Sequence, residues 1–134
     1  MKTNNDLIAE FMGEPLTFYH NEGFGHVTER KFSYETKYKE WNGLIPVVEQ
    51  ISNLFHYQPY FSKQSKPIDI IISPTYCSIH YPDTSEGFDY KNDCYYADPL
   101  FKIYITGNDM ITNVYQAVIE FIKYINNNQV LQKP

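Results

Sequence analysis

Asp109–Ile125 reads DMITNVYQAVIEFIKYI, the longest regularly patterned stretch of the chain. Ile111, Val114, Tyr115, Val118, Ile122 and Ile125 recur at i, i+3, i+4 and i+7, the spacing that lines up apolar side chains on one helix face. Ile119 and Phe121 widen that stripe, and a broad stripe suits packing on a sheet better than a coiled-coil seam. Thr112, Asn113, Gln116, Glu120 and Lys123 are left for the solvent side. Asp109 is a good N-cap, and Asn126–Asn127–Asn128 closes the pattern. The spacing predicts a long amphipathic helix on which the rest of the chain lays its apolar surface.

Working outward, Trp41–Phe55 carries a second helical pattern in Leu44, Val47, Val48, Ile51, Leu54 and Phe55. Pro46 must lie in the first turn or mark a kink, because deeper in a helix it removes a hydrogen bond and clashes, and Asn42 is a plausible cap that puts it early. Leu7, Ile8, Phe11 and Met12 make one face of a short first helix, capped by Asn4 or Asn5 and stopped by Gly13 and Pro15. Ile68–Ile72, Tyr76–Tyr81 and Phe101–Ile105 alternate at strand period, the first two joined through Ser73–Pro74–Thr75 as a hairpin. Alternation puts Ile70, Ile72, Ile79, Phe101, Ile103 and Ile105 on one face of a sheet. Asp69, His80, Lys102 and Tyr104 fall on the other. Leu16–Tyr38 is extended, either an irregular hairpin around Asn21–Gly25 or a surface loop. His56–Pro67 is a linker, and Pro82–Pro99 a long, acidic, tyrosine-rich loop.

The 134 residues make one domain, residues 1–134, long enough for a real core without disulfide or metal staples. Hydrophobic residues at 43% and charged residues at 20% are ordinary for a soluble globular chain. A formal charge of −5 disfavours non-specific nucleic-acid binding, which needs a positive field. A local cluster of Arg30, Lys31, Lys37 and Lys39 is the exception. No basic-then-apolar leader and no apolar run of membrane-spanning length occurs, so a cytoplasmic protein with Cys77 and Cys94 as reduced thiols is expected. Aromatics reach 17%, with 13 Tyr. Tyr replaces Leu and Phe readily in strands, yet it is also the residue of sticky surfaces, because it offers a large rigid ring with a polar tip.

Three stretches together resemble the phage ABA sandwich family, small proteins of phages and prophages, many from Bacteroidetes-type hosts. They are NNDLIAEFMG (Asn4–Gly13), YKEWNGLIPVVEQISNL (Tyr38–Leu54) and ITNVYQAVIEFIKYINNN (Ile111–Asn128), in the same order and with a short strand holding Cys77 and Ile79 between them. The resemblance covers about a third of the chain. It implies a layered helix/sheet/helix domain and a viral origin, and it brings no catalytic motif. His56–Pro67 and Pro82–Pro99 are longer than the family pattern.

The chemistry-bearing residues are sparse. His20, His26, His56 and His80 have no metal-pair spacing, although His20 and His26 could meet across the Gly23–Phe24–Gly25 turn. Asp83, Glu86, Asp89, Asp93 and Asp98 lack the glycine placement and terminal Glu of a calcium loop. Acidic neighbours make Cys94 a poor nucleophile. The expected fold is α+β, a small and mostly antiparallel sheet packed by two long helices and one short N-terminal helix. The expected function is non-catalytic: a phage accessory protein binding a small, nucleotide-like ligand or a host protein, without cofactor or metal. His80, Tyr81, Tyr90, Tyr95, Tyr96 and Tyr104 are the expected binding residues. A small metal-independent hydrolase, using His26 or His80 beside a carboxylate, and a structural homo-oligomer are the alternatives.

Overall fold

The structure is a computed structural model that describes residues 2–56, 66–80, 85–89, 94–98, 101–128 and 131–132. In chain order these form α1 (Asn4–Phe11), β1 (Thr17–Gly23), β2 (His26–Lys31), a single 3₁₀ turn (Lys37–Lys39) and α2 (Trp41–Ser52). There follow β3 (Phe55–His56), β4 (Lys66–Pro67), β5 (Asp69–Ile72), β6 (Tyr76–His80), β7 (Ser85–Asp89) and β8 (Cys94–Asp98). The chain closes with β9 (Lys102–Thr106), α3 (Met110–Asn128) and β10 (Leu131–Gln132). The class is α+β, with every strand pair antiparallel.

The central sheet has the order β5-β6-β9. Its register sets Ile70 against Ile79 and Ile103, and Ile72 against Cys77 and Ile105. These two rows share one face, as the alternation predicted. Helix α3 lies against β6 and β9, and both α1 and α2 pack on α3. One buried cluster joins Ile8, Leu44, Val47, Ile51, Ile79, Val114, Val118 and Phe121, so the described helices share a core with that one sheet face.

Side-chain hydrogen bonds fix the helices to one another. The Tyr115 hydroxyl of α3 donates to Asn5 Oδ1 of α1 at 2.6 Å. Gln50 Nε2 of α2 donates to the Phe11 carbonyl at 3.1 Å. The deepest line of α3 is Val114, Ala117, Val118, Phe121 and Ile122, while Ile111, Tyr115 and Ile125 are only partly buried. The stripe is thus rotated slightly from the one read in the sequence, with Ala117 joining its buried line.

Several boundaries move. Asn113 was expected to face water but is buried, its Nδ2 donating to the Gly107 carbonyl at 3.0 Å and so clamping the β9–α3 connection. Gly107 in turn donates its N–H to the Thr75 carbonyl at 3.0 Å, tying the connection to the β5–β6 turn. The N-cap of α1 is Thr3, not Asn4 or Asn5; Thr3 and Asp6 form a reciprocal capping box. Helix α2 starts after Glu40, which makes Asn42 part of the first turn and Pro46 its sixth residue. It ends at Ser52, so Leu54 is buried outside the helix and Phe55 begins a strand. Helix α3 runs on through Asn126 and Asn127 to Asn128 rather than stopping before them.

Two segments read as irregular contain paired strands. Phe55–His56 pairs with Lys66–Pro67 and with Leu131–Gln132, so both ends of the expected linker are strand. Ser85–Asp89 pairs with Cys94–Asp98 inside the expected acidic loop, with Phe88 opposite Tyr95 and Gly87 opposite Tyr96. Two-residue strands have no period to detect. The longer pair has no strict apolar alternation, so pattern reading passes over it.

Candidate functional site

The sheet face turned away from the helices carries the rows Asp69–His80–Lys102 and Ile71–Ser78–Tyr104, with Tyr76 and Thr106 beyond them. Asp69, Ile71, Lys102, Tyr104 and Thr106 are exposed, so no described helix covers this face. Its centre is aromatic. Tyr76 and Tyr104 lie with ring centroids 5.3 Å apart, and Lys102 Nζ stands 5.3 Å from the Tyr104 centroid, a cation over a π face. Tyr104 keeps 52% of its surface in water.

A short polar chain runs beside the ring pair. Ser78 Oγ is 3.3 Å from His80 Nδ1, and His80 Nε2 is 3.9 Å from Asp69 Oδ2. Ser, His and Asp are the members of a nucleophilic relay, but the geometry is that of a structural chain. Ser78 is only 2% exposed, and the His80–Asp69 separation exceeds hydrogen-bond length. Cys77, one residue away on the opposite face, is fully buried, and burial pushes its thiol up to about 11, which keeps it protonated and inert.

The structure therefore brings together two of the expected binding residues, His80 and Tyr104, as diagonal neighbours across β6 and β9. Tyr81 and Tyr90 lie outside the described residues. Tyr95 and Tyr96 fall in β8, where the described backbone shows strand rather than loop. The sequence reading missed Tyr76, whose ring completes the platform, although its place in the same alternation as Ser78 and His80 would have found it.

The hairpin β1–β2 is a second unusual surface. Five of the large apolar residues that the structure leaves exposed, Phe18, Tyr19, Phe24, Val27 and Phe32, lie on it or at its base. Phe24 and Gly25 both have positive φ, 52° and 80°, the backbone of a tight two-residue hairpin turn. A phenylalanine in that region is strained, and this one is also fully exposed. The register sets His20 against Thr28 and His26 against Gly23, so the two imidazoles are not paired across the turn. Arg30 is 3.6 Å from Glu22, and Lys37 is 2.6 Å from Glu14, which breaks up the basic cluster read from the sequence.

Among the described residues, no group of three or more His, Cys, Asp or Glu side chains is placed to hold a metal ion, and no helix is long and apolar enough to cross a membrane. Comparison with known proteins gave no matching family model, no matching curated protein and no matching solved structure.

Proposed function

We propose that this protein is a phage or prophage accessory protein that works by binding, and that the open face of the central sheet is its recognition surface. The observation that carries this reading is the Tyr76–Tyr104 ring pair with Lys102 beside it on an uncovered sheet face. Aromatic faces stack on planar ligands with little sequence or shape demand, and an adjacent ammonium selects an anionic group. The ligand class that meets both is a nucleotide. Sequestering such a ligand in the cytoplasm of an infected or lysogenic bacterium would antagonise a nucleotide-signalled host defence. Blocking a host protein with the same face is the alternative route to that end. The viral assignment rests on the three helical segments quoted above.

The test is to denature purified protein, identify any small molecule released by mass spectrometry, and titrate the matching nucleotide into variants. Tyr104→Ala is expected to weaken binding by about 1–3 kcal/mol, the range for loss of one stacking ring. Its melting temperature should stay near wild type, since half of the Tyr104 surface is already in water. A variant that melts early but binds with unchanged intrinsic affinity would make Tyr104 a structural residue and remove this face as the site.

A second reading, a small hydrolase, is favoured by one observation only, the Ser78–His80–Asp69 chain. His80→Ala is expected to leave any hydrolysis of nucleotides or esters by the purified protein within a few-fold of wild type. A loss of several hundredfold with the fold intact would instead make His80 a general base and reverse the assignment.

A further inference from the structure

We propose that the β1–β2 hairpin is a dimerisation arm that pairs with a second copy of itself along the outer edge of β1. The hairpin forms its own two-stranded sheet among the described residues, and a lone hairpin is marginal in water; three or more strands are needed for independent stability. Its two edges differ. Strand β2 carries Glu29, Arg30 and Lys31 in succession, the kind of charge run that guards an edge against pairing. Strand β1 presents Thr17, Phe18, Tyr19, His20 and Asn21 before its one charged residue, Glu22, which lies at the bulge near the tip and 3.6 Å from Arg30. The less guarded edge is the one that accepts a strand.

The occupant follows from self-complementarity. A two-fold axis through an antiparallel edge pair must relate residues on the same face, and centring it on Tyr19 satisfies this. Tyr19 then faces Tyr19 of the second copy, Phe18 faces His20, and Thr17 faces Asn21. No like charges meet, and aromatic cross-strand pairs are among the better sheet contacts. Centring on the corresponding point of β2 would set Glu29 against Glu29 or Arg30 against Arg30. The product is a four-stranded antiparallel ribbon. This surface is separate from the tyrosine face of the central sheet, so each stands or falls without the other.

Sedimentation equilibrium of the full chain tests it, and wild type is expected to be a dimer at micromolar concentration. Tyr19→Lys places two ammonium groups on the axis and should raise the dimer dissociation constant about tenfold or more. Its core melting should stay unchanged, since Tyr19 is 71% exposed. In a Cys94→Ser background, Tyr19→Cys should give a covalent dimer under mild oxidant, while Lys31→Cys on the guarded strand should not. The proposal is overturned by a wild type that sediments as a monomer up to its solubility limit. It is equally overturned by a dimer that Tyr19→Lys leaves intact, or by preferential cross-linking through Lys31→Cys.

Discussion

Val118→Asp is expected to abolish cooperative thermal unfolding. Val118 is fully buried in the middle of α3, in the cluster that joins the helix to β6 and β9. The substitution removes about 1.5–3 kcal/mol of apolar burial. It also forces an unpaired carboxylate either to desolvate or to protonate, at a cost of several kcal/mol. Together these approach the whole net stability of an ordinary domain, roughly 5–15 kcal/mol. Near-ultraviolet circular dichroism and a thermal scan read the outcome, and a wild-type transition would show that the helix face is wrongly assigned. Val48→Asp is the instructive comparison. The helical spacing gives Val48 and Val118 the same rank, but Val48 is only partly buried. Its carboxylate can turn to water, so the expected loss is about 1–2 kcal/mol.

Gly43→Ala is expected to destabilise the protein, although it replaces a poor helix former by the best one. Gly43 is the third residue of α2, and alanine at a helical position there would contribute about 1 kcal/mol from propensity alone. A Cβ at Gly43, however, would fall inside the backbone carbonyl of Lys37, in the 3₁₀ turn that packs across the start of the helix. The obstacle is main chain, so no rotamer change relieves it. The turn must move, and with it Tyr38, one of the largest fully buried side chains. Overpacking a tight site costs about 1–3 kcal/mol, and more where backbone shifts. A net loss of about 2 kcal/mol or more in urea unfolding is therefore expected. A variant as stable as wild type would mean that the turn sits loosely on the helix.

Much of this architecture was legible in the sequence because periodic burial leaves a periodic trace. The stripe from Val114 to Ile122 and the alternation of Ile70, Ile79, Ile103 and Ile105 each record one buried face, and the α+β class follows from them. The placement of His80, Lys102 and Tyr104 on the opposite face follows as well, since strand period leaves no other choice. Where burial is not periodic, the trace disappears. Ser85–Asp89 and Cys94–Asp98 pair by backbone hydrogen bonds, to which side-chain pattern is blind, and β3, β4 and β10 are too short to repeat. Asn113 fails for another reason. It is explained by a single contact with a chain segment six residues away, Gly107, and no window statistic encodes that contact.

What the sequence by itself determined is the three helices, the three strands of the central sheet and the two faces of that sheet. Those depend on the hydrophobic effect acting on local pattern. Only the tertiary structure decided that the described helices leave the Tyr76–Tyr104 face open, and that the β1–β2 hairpin carries its aromatics into solvent. Alternation says which residues share a face but not what lies above it; coverage is set by where distant segments dock. The two surfaces proposed to bind are both of that kind, which is why Tyr76, Tyr19 and Phe24 passed unnoticed among 13 tyrosines and 9 phenylalanines until the core had claimed its own.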